Sequence, residues 1–309
     1  MITKEAQDRI MFSNTQYFFN SARNGFEYLL SKLVTDKSKK ILMPGYIGES
    51  PKEGSGVFDP IRKLNLSYEF YKLKPDLSVD TDDFFYKIKN NNIKVALIIH
   101  YFGFPQKDIE LIATKCKELD ILLIEDCAHS LQSSFNFIRL GNFGDFSFNS
   151  IHKLLATQDG GILQINDRKF ISLFSDVNEN MSKDTMEIYL NTDIIQTSLL
   201  RRKNYNSYLD KLNYNSNLFE ILYPELNEGV IPLNFPILIK NYNREKYYYE
   251  LIDKGVITVS LYYQMISEIL KENFPLSYDI SNRILNLPVH QDITEADIEK
   301  IVSVLNNDH

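Results

Sequence analysis

The first two-thirds of the chain alternates short apolar runs with amphipathic stretches, and that rhythm leaves few folds open. Runs such as KILMP (40–44), KVALIIHYFG (94–103) and ILLIED (121–126) have strand length and are apolar almost throughout. Strands of that kind are buried on both faces, and helical spacing between them points to βαβ units. The expected class is α/β: a mostly parallel central sheet sandwiched by helices.

The pattern can be placed in detail. A helix is expected over 22–34, with Phe26, Leu29, Leu30 and Leu33 on its inner face and Ser21 or Asn24 capping its start. Strands follow at 40–44, 67–73, 94–103, 121–126, 145–149 and 161–165, with helices over 80–90 and 107–118. Past residue 197 the texture changes to a helix rich in Arg, Asn and Tyr (198–212) and an apolar strand at 231–239. A further helix, a short strand near 256, the segment 285–294 and a last helix over 295–305 complete the chain. Residues 1–200 are read as a large domain and 201–309 as a smaller α+β domain.

Thirty-four basic against 41 acidic side chains leave a formal charge of −7, with no basic stripe for nucleic acid. The apolar runs are too short to cross a bilayer, and the charged start of the chain does not read as a secretory leader. Cys116 and Cys127 read as reduced, buried thiols, so a cytoplasmic protein is expected. No metal site is expected.

Residues 121–161 carry the chemistry. A carboxylate, Asp126, ends one strand, and Lys153 follows it by 27 residues on a later strand connection. Open parallel sheets bind ligands at the carboxyl ends of their strands. A lysine amine there can condense with an aldehyde, and an aspartate can keep a pyridine nitrogen protonated, making the ring an electron sink. The pair therefore suits pyridoxal 5'-phosphate (PLP), held by Lys153 as an imine. Gly160 and Gly161 would let backbone approach the cofactor closely.

These residues resemble the DegT/StrS family of fold-type I PLP enzymes, best known as nucleotide-sugar aminotransferases. The resemblance rests on Asp126 with His129, on Lys153 with the Gly pair seven and eight positions later, and on three more segments. They are NSARNGFEYLL (20–30), LIIHYFGFP (97–105) and LNLPVHQDIT (285–294). It implies that Ser21, Ala22, Arg23 and Asn24 receive the cofactor phosphate, with Ser150 as a further contact. His129 would contact the cofactor, through Asp126 or the ring oxygen, and His100 the substrate.

The chain departs from the family pattern in four places. Ala22 stands where a glycine is usual. Gly48 stands where an aromatic usually stacks on the ring, and Tyr46 is the nearest substitute. No Gly-Tyr-Asn-Tyr-Arg segment appears around 180–195, so TMEIYLNTD (185–193), with Asn191 as contact, is the expected replacement. The chain is also shorter than typical members.

The resemblance implies an aminotransferase that moves nitrogen from glutamate or glutamine to a keto-sugar, expected to be nucleotide-linked, in amino-sugar or surface-polysaccharide biosynthesis. A homodimer with sites at its interface is expected. Related sugar dehydratases carry histidine in place of the lysine; counting back seven from Gly160 lands on Lys153 and not on His152, which favours transamination. A non-catalytic PLP-fold binder or sensor is the alternative of another class.

Overall fold

The computed structural model describes residues 15–256, 258 and 261–306. Most of the N-terminal stretch read above for a leader lies outside them. The first part of the chain runs β1 (Thr15–Phe19), α1 (Ala22–Leu33), β2 (Lys40–Pro44), α2 (Asp59–Lys63), β3 (Ser67–Tyr71), α3 (Thr81–Asn90) and β4 (Ile93–Ile99). It continues through α4 (Ile109–Glu118), β5 (Leu122–Asp126), a hairpin of β6 (Ser134–Phe135) and β7 (Ile138–Arg139), β8 (Phe146–Ser150) and β9 (Gly161–Ile165). Then come α5 (Lys183–Asn191), α6 (Ile194–Lys211), β10 (Phe219–Ile221), β11 (Asn234–Ile239), α7 (Arg244–Asp253), α8 (Pro275–Arg283), β12 (Ile284–Pro288) and α9 (Glu295–Asn306).

The large sheet has the order β1-β9-β8-β5-β4-β2-β3. Neighbours from β8 to β3 are parallel, and β9 is antiparallel to both β8 and β1. Every strand of this sheet but β9 therefore points the same way. The carboxyl ends of β1, β2, β4, β5 and β8 gather along one edge, and β9 starts from that edge.

The apolar strands were legible because both their faces are covered: all five residues of β5 and the last five of β4 are buried. Helix α1 packs Phe26 against Phe148 of β8, ring centroids 4.6 Å apart and nearly parallel. Ser21 caps α1, its Oγ accepting the Asn24 N–H at 3.2 Å. The strand expected through residue 103 stops at Ile99, since Tyr101–Gly103 form a 3-10 turn. The expected TMEIYLNTD segment is mostly helix α5, and α6 starts at Ile194, where Asp193 accepts the Gln196 N–H.

A three-stranded antiparallel sheet, β10-β11-β12, follows, with α7, α8 and α9. Of the strand expected near 256, Val256 and Thr258 are in no strand, and 257, 259 and 260 lie outside the described residues. Helix α6 runs across residue 200, and one apolar cluster continues from Phe26 through Phe235 to Ile298. Among the described residues no helix is long and apolar enough to cross a membrane.

Candidate active site

Three side chains meet at the strand-end edge. Asp126 closes β5 and is buried, with Oδ1 accepting the Ala128 N–H at 2.8 Å. His129, three residues on, is buried and lies with Nε2 3.0 Å from Lys153 Nζ. Burial raises the Asp126 carboxyl above its ordinary value against the opposing pull of Lys153, and lowers the Lys153 ammonium against the pull of Asp126. Burial first, and then Lys153, hold the His129 imidazolium well below its usual range. A half-buried lysine amine, a buried carboxylate and a neutral imidazole lie together at this edge.

The N-terminus of α1 adjoins these residues. Ser150, buried at the end of β8, pairs with Gly161 of β9. A Cβ on Gly161 would lie 2.1 Å from the Ser21 carbonyl carbon and 2.2 Å from the Ala22 nitrogen. Gly161 thus seats α1 on the sheet, a backbone contact that the expectation of close approach to a cofactor did not include. Gly160, at φ +123°, donates its N–H to Asn20 O at 2.8 Å. Ser21, Ala22, Arg23 and Asn24 form this helix start. Arg23 is held by Glu53 O at 2.5 Å and Asp59 at 3.3 Å, and its charge and that of Glu53 both act on Lys153. The Asn24 side chain donates to Asn20 Oδ1 at 2.5 Å. The Ser150 hydroxyl contacts His152 Nδ1 at 3.2 Å, and His152 is exposed.

Other expected residues are engaged elsewhere. His100 is fully buried: Nε2 meets Glu125 Oε2 at 2.9 Å and Nδ1 accepts the Gln106 N–H at 3.2 Å. Glu125 in turn accepts the N–H groups of Gly141, Phe143 and Gly144, so this imidazole braces the 141–144 loop and has no ring nitrogen left for substrate. Tyr46 is also fully buried, stacked on Tyr262 at 5.1 Å, its carbonyl accepting the Tyr101 hydroxyl at 2.6 Å. Asn191 is exposed and turned back on its own helix, donating to Glu187 O at 2.9 Å.

The family profile described as the DegT/DnrJ/EryC1/StrS aminotransferase family matches residues 62–184 and 193–306. The chain belongs to this family. It is 25% identical over 239 residues to dTDP-3-amino-3,6-dideoxy-alpha-D-galactopyranose transaminase of Aneurinibacillus thermoaerophilus. That match covers 69% of this chain and 65% of the relative, just under two thirds of its length. The aminotransferase TlmJ of Streptoalloteichus hindustanus superposes with a TM-score of 0.77 at 21% identity, over 94% of this chain and 84% of that one. A protein of Streptococcus pneumoniae assigned as a sugar aminotransferase, in its PLP form, also gives 0.77, at 14% identity over 94% and 86%. These two likenesses show that the fold is shared.

This member of the DegT/DnrJ/EryC1/StrS family brings Tyr262 against His129, a residue that sequence reasoning missed. Its ring lies edge-on to His129 at 5.8 Å and to Phe102 at 5.8 Å. A Cβ on Gly48 would sit 3.1 Å from the Tyr262 ring, so the small residue in place of an aromatic makes room for an aromatic from the far end of the chain. Tyr262 adopts φ +60°, a conformation that bulky residues rarely take. Burial raises its hydroxyl pKa well above the ordinary value, and the nearby Asp126 charge adds to this. No sequence signal marked it, because Gly48 and Tyr262 meet only in the tertiary fold.

Proposed function

We propose that this chain is a PLP-dependent aminotransferase acting on a keto-sugar carried on a nucleotide, with glutamate or glutamine as amino donor, in amino-sugar biosynthesis. The observation that carries this reading is Lys153 Nζ lying 3.0 Å from His129 Nε2 beside the buried Asp126, at the carboxyl edge of the sheet. The named relative, a transaminase of a dTDP-linked amino sugar, supports the substrate class.

The residues present fit PLP. The start of α1 suits a phosphate: Ser21 takes the Asn24 N–H, and a helix leaves the N–H groups of its first residues without an intrahelical partner. A buried carboxylate that is costly to ionise alone suits a pyridinium partner. When bound, PLP supplies an aldehyde for a primary amine and a ring that draws electron density from the substrate Cα. Lys153 Nζ is the group that anchors it and later carries a proton to and from the substrate carbon. Asp126 would keep the ring nitrogen protonated, Ser21, Ala22, Arg23, Asn24 and Ser150 would hold the phosphate, and His129 steadies the lysine. Tyr262, in place of Tyr46, covers the cleft and limits water.

Residues 1–200 form the cofactor-binding unit in this reading and 201–309 the covering unit, with α6 bridging them. The protein works as a cytoplasmic homodimer. Three apolar side chains exposed within ten residues, Leu190, Ile195 and Leu199 on α5 and α6, support an interface there. Helix α5 is tied to the Lys153 loop, since Ser182 and Thr185 both bind Asp159.

Purified chain should turn yellow with PLP, and its absorbance band should shift on adding glutamate. Borohydride reduction and peptide mapping should put the label on Lys153, and Lys153→Ala should lose both label and turnover. A label elsewhere, or a colour indifferent to every amino donor, would favour a PLP-fold binder instead.

A further inference from the structure

Phe102 follows β4 with φ 56° and ψ 17°, in the left-handed region that bulky side chains avoid. Packing from the C-terminal half holds it there. Leu233 N–H donates to Phe102 O at 2.8 Å. The next residue, Gly103, has φ +96°, and a Cβ on it would lie 2.3 Å from Ile231 O. Ser133 Oγ donates to Gly103 O at 2.7 Å. The strained turn has one polar consequence in the cleft: the Phe102 N–H donates to His129 Nδ1 at 3.2 Å.

A ring nitrogen that accepts an N–H carries no proton, so neutral His129 must carry its proton on Nε2. That nitrogen is the one 3.0 Å from Lys153 Nζ. An ammonium has three donors and no acceptor, so a charged Lys153 would set donor against donor, whereas a neutral amine offers a lone pair. We propose that the Phe102 amide locks His129 in its Nε2–H tautomer, and that this N–H holds Lys153 as a neutral amine. His129 is then a positioning residue that sets the protonation of the lysine.

The charges around the pair do not reverse this. Asp126 and Glu53 draw Lys153 toward its charged form, Arg23 opposes them, and burial, the largest influence, favours the neutral amine. His152, the adjacent imidazole, is itself shifted toward neutrality by partial desolvation of its ring and by Lys153. Tyr262 stays a phenol. Only the unprotonated amine attacks an aldehyde carbon, so the lock would prepare the chain to take up its cofactor. That last consequence rests on Lys153 being the anchor; the tautomer and the neutral amine do not.

The full chain with ¹⁵N-labelled histidine and no added PLP is the material for the first test. It has five histidines, and His129→Gln identifies the signals of interest. Long-range proton–nitrogen correlation should show His129 protonated on Nε2 alone, without titrating near the ordinary histidine value of 6.5. An Nδ1–H pattern, or an imidazolium at neutral pH, overturns the proposal. Trace acetylation with acetic anhydride, read by peptide mass spectrometry across pH, gives the Lys153 midpoint. It should lie below the ordinary lysine value of 10.5 and rise in His129→Leu. Labelling at mildly alkaline pH should then fall about tenfold for every pH unit by which the midpoint rises. A midpoint that His129→Leu leaves unchanged also overturns it. Borohydride mapping to another lysine would sink the proposed function while leaving both of these measurements to stand or fall alone.

Discussion

Gly161 and Ser21 are in backbone contact: a Cβ on Gly161 would lie 2.1 Å from the Ser21 carbonyl carbon. The overlap is with main chain, which cannot rotate away, so even the smallest side chain must push α1 off the sheet. Gly161→Ala is expected to cost about 2–3 kcal/mol of stability, as overpacking does in a dense core. It should also weaken PLP binding, because the phosphate would sit on the same helix start. Urea denaturation reads the first effect and an absorbance titration with PLP the second. An alanine variant as stable as the parent would mean that α1 shifts at no cost.

Asp126→Asn should retain the fold but slow turnover by several orders of magnitude, since a neutral amide cannot hold a proton on the ring nitrogen. Stability should move the other way. Burial raises the folded-state pKa of this carboxyl above its ordinary 3.8, so folding favours its protonated form. Above that folded pKa its ionisation opposes folding, and between the two values stability falls as pH rises. The cofactor-free Asn variant should therefore be at least as stable as the parent at pH 7, an advantage that fades as pH drops toward 3.8. Thermal melts of both proteins across that window would check the sign, and full activity in the variant would make the carboxylate structural.

Tyr262→Ala should open the cleft beside His129. The lost aromatic contacts are worth about 1 kcal/mol beyond burial, so PLP affinity should fall by roughly fivefold, with little effect on the large sheet. Tyr46→Phe, by comparison, removes only a hydroxyl that donates to Tyr262 O at 3.3 Å and should change affinity far less. Equal losses in the two variants would argue that the whole Tyr46–Tyr262 stack acts as one unit.

Light scattering at micromolar concentration should give a mass of two chains, the commonest symmetric assembly. Charging the exposed face with Leu190→Asp and Ile195→Asp should shift the protein toward monomer. If the parent is an active, PLP-loaded monomer, the site closes within one chain.

The sequence by itself determined most strands of the large sheet and the three side chains that meet at its strand-end edge. Strands β2, β5, β8 and β9 fall within a residue of their expected bounds, because runs buried on both faces leave no other period for the pattern. Asp126, His129 and Lys153 were legible for a related reason: fixed strand ends carry them to one edge. Short or mixed elements such as β1, α2 and α8 went unread, since five to nine residues of uneven polarity carry little periodic signal. Tertiary structure alone decided the rest. It turned His100 inward to Glu125, sank Tyr46 into the core, and brought Tyr262 against Gly48 from the far end of the chain. Whether an imidazole or a phenol faces a cleft depends on which partner its polar atoms find when water is expelled, and those partners lie on strands and loops distant in sequence.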